Sequence, residues 1–258
     1  MTQLSIPDLS GKVVLVTGGS TGIGAAAAKA FAGSGSRVMV HYNESRDAAE
    51  AVAAEIAAAG GEAATVQGDI SQGGVPKRLV ADTVARFGRL DVLINNAGGM
   101  LGRVALAELT DDHYHRVMNL NALSVVAMTR EAQPAMKAAG GGAMINVTSI
   151  AARNGGGGGA VLYAASKGFV STFTRGIAKE LWADRIRVNA VAPGVIMTPF
   201  HERYSNAQQI EAMRQTVPMG RVGTPDDCIG AFLFLASDAL SGYMIGQIIE
   251  VNGGQLMP

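Results

Sequence analysis

The sequence predicts an α/β fold: one doubly wound, seven-stranded parallel sheet with helices on both faces. Short β-branched runs alternate with longer helical stretches from near the start of the chain to its end, the pattern of a parallel sheet covered on both sides. The first run passes straight into a glycine-rich turn, Thr17-Gly18-Gly19-Ser20-Thr21-Gly22-Ile23-Gly24, and that turn opens an alanine-rich helix. The length of 258 residues fits one unit, because α/β folds built on a single sheet reach roughly 250 residues, so residues 1–258 are read as a single domain.

Taken in order, the predicted strands cover Lys12 to Thr17, Arg37 to Tyr42, Glu62 to Gln67, Val92 to Asn95, Ala143 to Thr148, Ile186 to Ala192 and Gln247 to Val251. Six main helices lie between them, near 22–34, 46–59, 74–87, 112–138, 162–183 and 226–236. The stretch Ala48 to Ala59 is alanine-rich but broken by Glu50 and Glu55, as in a helix packed on a protein surface, and Gly60-Gly61 stops it. Gly155 to Gly159 offers backbone freedom and little to bury, and reads as a mobile loop. Residues 197–223 are polar and show no strand pattern, and a segment of that length inside a compact domain reads as a substrate lid. Thr224-Pro225-Asp226-Asp227 is a helix start: a cap, a proline at the first position and acids at the positive end of the dipole.

Composition narrows the function classes. With 21 basic against 21 acidic residues there is no global field to attract nucleic acid or an anionic membrane, and a small, uncharged substrate suits that balance. One cysteine, Cys228, rules out an internal disulfide framework and reads as a small core or interface residue. The stretch Met1 to Asp8 lacks the basic start and apolar run of a secretory leader, and no segment reads as a membrane span, so a cytoplasmic protein is expected.

Three residues carry the candidate chemistry: Ser149, Tyr163 and Lys167. A tyrosine hydroxyl ionises near pH ~10, so it exchanges protons near neutrality when a fixed cation stabilises its phenolate. Lys167, four residues on, shares a helix face with Tyr163 and is expected to be that cation. At the other end, the glycine turn sits where a helix begins, and free amides and the dipole attract phosphate there. Its spacing is not the usual G-x-G-x-x-G, and tight packing alone also produces such turns. Asp69, after the third strand, offers an acceptor to an adenine amine, and Asn95-Asn96-Ala97-Gly98 ends the fourth strand on the edge where open α/β sheets bind ligands.

Over essentially its whole length the chain resembles the short-chain dehydrogenase/reductase family. The residues carrying the likeness are the glycine turn, Asn95 to Gly98, Asn121, Ser149, Tyr163-Ala164-Ala165-Ser166-Lys167, Asn189 to Gly194 followed by Thr198, and the ending Gly246-Gln247 with Asn252-Gly253-Gly254. The resemblance implies a Rossmann fold and hydride exchange between a nicotinamide and an alcohol or carbonyl. Ser149 would hold the substrate oxygen and Tyr163 exchange its proton. Lys167 would hold the nicotinamide ribose and lower the tyrosine's pKa, and Asn121 would support a water relay to the lysine. The implied cofactor contacts are Gly18, Ser20, Thr21, Gly22, Ile23 and Gly24; Tyr42, Asn43 and Ser45; Asp69 and Ile70; Asn96, Ala97 and Gly98; Pro193, Gly194, Ile196 and Thr198; and Tyr163 with Lys167. No metal is implied.

At the end of the second strand, members of that family preferring NAD commonly carry aspartate where this chain has Tyr42, while Asn43, Ser45 and Arg46 can hydrogen-bond a phosphate. NADP(H) is therefore favoured, with NAD(H) open because Glu44 lies in the same loop and Thr21 stands where a basic residue is frequent. The Ser149 to Tyr163 interval is slightly long, and the glycine run can absorb the excess. Within the family, 3-oxoacyl-carrier-protein reductase, sugar dehydrogenase and carbonyl reductase all remain open; a non-catalytic dinucleotide sensor is the reading from another class. Ile229 to Leu235 and the C-terminal Leu256-Met257-Pro258 read as buried or subunit-facing surface, and the resemblance implies a homotetramer.

Overall fold

In a computed structural model of the chain, which describes residues 6–257, the seven strands form one sheet in the order β3-β2-β1-β4-β5-β6-β7. The strands are β1 (Val13–Val16), β2 (Arg37–Tyr42), β3 (Glu62–Gln67), β4 (Val92–Asn95), β5 (Gly142–Val147), β6 (Ile186–Pro193) and β7 (Ile248–Val251), and every neighbouring pair is parallel. Residues 1–5 of the stretch read for a leader, and Pro258, lie outside the described residues. No helix among the described residues is long and apolar enough to cross a membrane.

Because successive side chains of a strand point to opposite faces, a buried parallel strand needs apolar residues throughout. In β1, Val14 and Val16 enter a core shared with α1 (Gly22–Gly33), α2 (Arg46–Ala58) and α10 (Pro225–Ala236). Val13 and Leu15 enter the opposite core, against α3 (Val75–Phe87), α5 (Ser124–Ala138) and α7 (Val161–Leu181). Those two layers make the double winding. The order reverses between β1 and β4, so the crevice at their carboxyl ends is a topological switch point, where such sheets take ligands.

Three elements differ from the sequence reading. The helix expected over 112–138 is α4 (Asp111–Met118), a wide π turn over Asn119–Leu123, and then α5. Within that turn the Asn121 side-chain amide donates to the Val117 carbonyl at 2.9 Å, an acceptor that regular winding would use, and to Gly99 O in the loop after β4 at 2.8 Å. The segment 197–223 is not irregular: it builds α8 (Pro199–Tyr204) and α9 (Ala207–Gln215), and returns to the sheet through a bridge between Ile196 and Gly223. Between β5 and α7 the short α6 (Ala151–Asn154) precedes the glycine run.

Near the C-terminus the structure decides between the two readings of Ile229 to Leu235 in favour of burial. Phe232, Leu233 and Leu235 are buried against α1, and Cys228 beside them is fully buried with its thiol pushed up to about 12 by desolvation, so this helix fills the core more than it faces a subunit. The last strand stops at Val251, and Met257 is exposed. The predicted start of α10 stands: the Asp227 carboxylate accepts from the Thr224 amide at 2.7 Å and from its hydroxyl at 3.1 Å.

Candidate active site

The functional candidates collect at the carboxyl ends of the strands. After β1 the turn runs Thr17 to Thr21 and α1 starts at Gly22, with Gly18 at φ +62° and Gly22 at φ +54°. Gly24 has no room for a side chain, since a Cβ there would stand 2.6 Å from Asn96 Nδ2 and closer still to the Gly18 carbonyl. Asn96 explains the tight fit: its amide donates to Thr17 O at 2.9 Å and Gly18 O at 3.0 Å, while Thr17 Oγ1 accepts from the backbone of Asn96 and Ala97. The Asn96 side chain thus spends its donors on holding the turn. Ser20, Thr21 and Ile23 complete the mouth of the helix and keep contact with solvent.

Beside this turn, the second-strand loop is exposed at Asn43, Glu44, Ser45 and Arg46, whereas Tyr42 is buried at 5% exposure. Asp69 is partly buried and Ile70 buried. Burial pushes the Asp69 carboxyl upward, but the hydroxyl and amide of Ser71 and the side chain of Gln72 donate to it and hold it below its ordinary value. Sequence reasoning missed His41. Its Nδ1 accepts from Gly18 N–H at 3.0 Å and its Nε2 lies 2.8 Å from Gly68 O. The available signal was a histidine following the buried apolar run Val38 to Val40.

At the chemical end, Ser149 follows β5, and its Oγ accepts from Ala151 N–H at 3.1 Å. Tyr163 and Lys167 occupy successive turns of α7. Burial pushes the phenol up to about 12, opposed by a hydrogen bond with the Ser149 hydroxyl. Burial also pushes Lys167 down to about 8. Its Nζ donates to the Val147 carbonyl at 2.8 Å and stands 5.9 Å from the Tyr163 ring centre. The influences on the phenol are thus burial and the Ser149 bond, and the lowering by Lys167 expected from sequence is not among them.

Asn121 joins this group through Gly98. A Cβ on that glycine would lie 2.7 Å from Asn121 Oδ1 and 3.2 Å from Lys167 Nζ, so both side chains converge beneath it. The Asn121 Oδ1 itself accepts from Gly99 N–H at 3.0 Å. From the other side come Pro193 and Gly194 at the end of β6, buried Ile196, and Thr198, whose Cγ2 would meet a Cβ on Gly22 at 3.0 Å. Thr198 directly precedes α8, and Phe200 on that helix places its ring 5.5 Å from the Tyr163 ring.

The glycine run is tethered rather than loose. Val104 N–H donates to Gly159 O at 3.0 Å and Arg103 Nη1 to Gly158 O at 2.9 Å, while Arg103 Nε reaches Tyr204 O at 3.0 Å. Arg103 and Phe200 were not singled out in the sequence, since neither belongs to a motif. No cluster of metal-ligating side chains occurs among the described residues.

The residues at the switch point fit a dinucleotide. A helix begins on free amides, its glycines leave a cradle that a side chain would fill, and the crevice continues past Gly98 to Ser149, Tyr163 and Lys167. Comparison with known proteins agrees. Residues 18–255 match the family model described as enoyl-(acyl carrier protein) reductase. The chain is 40% identical over 249 residues to a 3-oxoacyl-[acyl-carrier-protein] reductase of Synechocystis, covering 96% of this chain and 98% of the relative. Its structure is similar to that of NADH-dependent reductase A1-R′ responsible for alginate metabolism, with a TM-score of 0.89, 41% identity, and coverage of 98% of this chain and 100% of the other. The likeness extends to the same reductase complexed with NAD, at a TM-score of 0.88, 40% identity and coverage of 98% and 99%.

Proposed function

The chain belongs to the short-chain dehydrogenase/reductase family, and from that premise we propose that it reduces a ketone or aldehyde to an alcohol, with Tyr163 as general acid. The observation that carries the proposal is the convergence of Ser149, Tyr163 and Lys167: the phenol, protonated at neutral pH, is hydrogen-bonded with the Ser149 hydroxyl and stands beside a buried ammonium.

When bound, a nicotinamide dinucleotide supplies the hydride. The chain's own residues do the rest. The Ser149 hydroxyl holds the substrate oxygen beside the phenol, and as negative charge gathers on that oxygen Tyr163 donates its proton to it. Lys167, fixed by the Val147 carbonyl, places a buried cation near the tyrosine that leaves this step as a phenolate. Asn121 holds the Gly98–Gly99 backbone over that lysine. General acid assistance of this kind is worth about 100 to 10,000-fold. Gly18, Ser20, Thr21, Gly22, Ile23 and Gly24 would receive the pyrophosphate, with Asp69 and Ile70 at the adenine. Ala97, Gly98, Pro193, Gly194, Ile196 and Thr198 would line the nicotinamide end. The segment 197–223 covers the substrate, and Phe200 beside Tyr163 favours a substrate with an apolar portion next to its carbonyl.

NADPH is the preferred donor on this reading: Tyr42 is buried where an acid would pair with a ribose, and Asn43, Ser45 and Arg46 are exposed for a 2′-phosphate. A second reading, NADH, is favoured by the NADH dependence stated for the A1-R′ reductase. The working molecule on our reading is a cytoplasmic homotetramer, supported by apolar surface at Phe169, which stacks on Phe173, and at the half-exposed Trp182. Fluorescence titration with NADPH and with NADH, followed by a carbonyl panel with Tyr163→Phe as control, tests the proposal. Tighter NADPH and a variant that binds without turnover support it; tighter NADH reverses the cofactor assignment, and binding of neither defeats the oxidoreductase reading.

A further inference from the structure

His41 lies at the end of β2 with 1% of its surface exposed, yet its two ring nitrogens do not serve the core. Nδ1 accepts from Gly18 N–H in the turn after β1, and Nε2 meets Gly68 O in the turn after β3. Both partners fix the tautomer: an amide N–H can only donate and a carbonyl can only accept, so the ring is neutral with its proton on Nε2. One imidazole therefore joins two loops of the crevice, one opening the glycine cradle and the other leading into Asp69 and Ile70.

We propose that His41 is a positioning residue for dinucleotide binding: the neutral ring sets the pyrophosphate turn against the adenine-side loop, and its protonation releases the dinucleotide. This rests on the cofactor reading given above. An imidazolium carries N–H on both nitrogens, so Nδ1–H would confront Gly18 N–H, donor against donor, and the turn must shift to relieve it. Gly18 has little freedom to do so, because Asn96 holds its carbonyl and Gly24 packs against it.

The charged groups facing the ring are Arg78 on α3, which disfavours protonation, and Asp69, which favours it and stays ionised as pH falls through the histidine range. Burial is the largest influence, and the ring protonates below its ordinary value of 6.5. Binding should therefore be level at neutral pH and fail on acidification.

The test is calorimetry with NAD⁺ and with NADP⁺ from about pH 8 down to about pH 5, on the wild type, His41→Asn and His41→Phe. Asparagine keeps an acceptor near the Nδ1 position and does not titrate; comparison between variants cancels the titration of the NADP⁺ 2′-phosphate itself. The expected result is wild-type affinity falling at the acid end by up to about thirtyfold, the ceiling for one ring that protonates below 6.5, a level profile for His41→Asn, and weakened binding at every pH for His41→Phe. If His41→Phe does not fold, the asparagine profile decides alone. Equal acid dependence in wild type and His41→Asn overturns the inference while leaving the oxidoreductase reading intact. Binding of neither dinucleotide by the wild type at any pH defeats both.

Discussion

Lys167 donates its ammonium to the Val147 carbonyl at 2.8 Å, a bond that ties the middle of α7 to the end of β5 and leaves the cation 3% exposed. Burial lowers its pKa from the ordinary 10.5 to about 8. If reduction needs that cation, its rate at saturating dinucleotide holds below pH 8 and declines as pH passes about 8. Lys167→Met should abolish the inflection and cut kcat by about 100-fold or more, which a pH-rate profile reads directly. The same shift acts on stability. Between about 8 and 10.5 the unfolded chain binds the extra proton, so the wild type gains stability as pH rises through that window. Urea unfolding at both ends of it should show a smaller gain for Lys167→Met.

Gly24→Ala should be the sharpest loss at the nucleotide end. The added methyl would meet the Gly18 carbonyl and, at 2.6 Å, Asn96 Nδ2, and both are fixed in the turn. Dinucleotide affinity should fall by more than tenfold, because the cradle can admit the methyl only by opening. Titration with the preferred dinucleotide checks this; near-normal affinity would show that the turn is not the pyrophosphate site.

Arg103 is a clasp across the substrate side of the crevice, bonded to Gly158 O on one loop and to Tyr204 O at the end of α8. Arg103→Ala should free both segments and raise KM for the carbonyl substrate by about three- to tenfold, with dinucleotide affinity unchanged. Faster proteolysis confined to 155–159 and 199–206 would accompany it. Equal KM values would place the clasp outside substrate capture.

Much of this was legible in the chain because periodicity and chemistry coincided there. The central strands β1 and β4 are nearly continuous apolar runs, which two covered faces demand, and Tyr163 and Lys167 sit at a helical spacing that their chemistry needs. What escaped depended on contacts distant in sequence. The π turn at Asn121 coincides with side-chain bonds to Gly99, 22 residues away. His41 takes its role from Gly18 and Gly68, and Arg103 from residues 55 and 101 positions on; no local pattern encodes either. Spacing likewise shows that a cation is near the tyrosine but not that the cation is buried.

The buried guanidinium of Arg187 offers a stability test away from the crevice. It enters from β6 with 3% exposure, and Nη1 donates to Leu235 O at 2.9 Å and Ser241 Oγ at 3.1 Å, while Nη2 reaches Ala236 O at 3.2 Å. These are final carbonyls of α10, which have no partners within their own helix, so the cation caps the helix at its negative end. Burial pushes Arg187 below its ordinary value, countered by Asp238, whose carboxylate lies 3.3 Å from Nε. Arg187→Met keeps the length and apolar stem but removes the donor to Ala236 O and leaves Leu235 O with the Ser241 hydroxyl at 3.2 Å, at a cost of about 1 to 3 kcal/mol for the unpaired carbonyl before relaxation. Arg187→Lys restores the charge without the fork and should recover only part of the loss. Chemical denaturation should therefore rank wild type above Lys and Lys above Met; equal stability of wild type and Met would mean that water replaces the guanidinium at no cost.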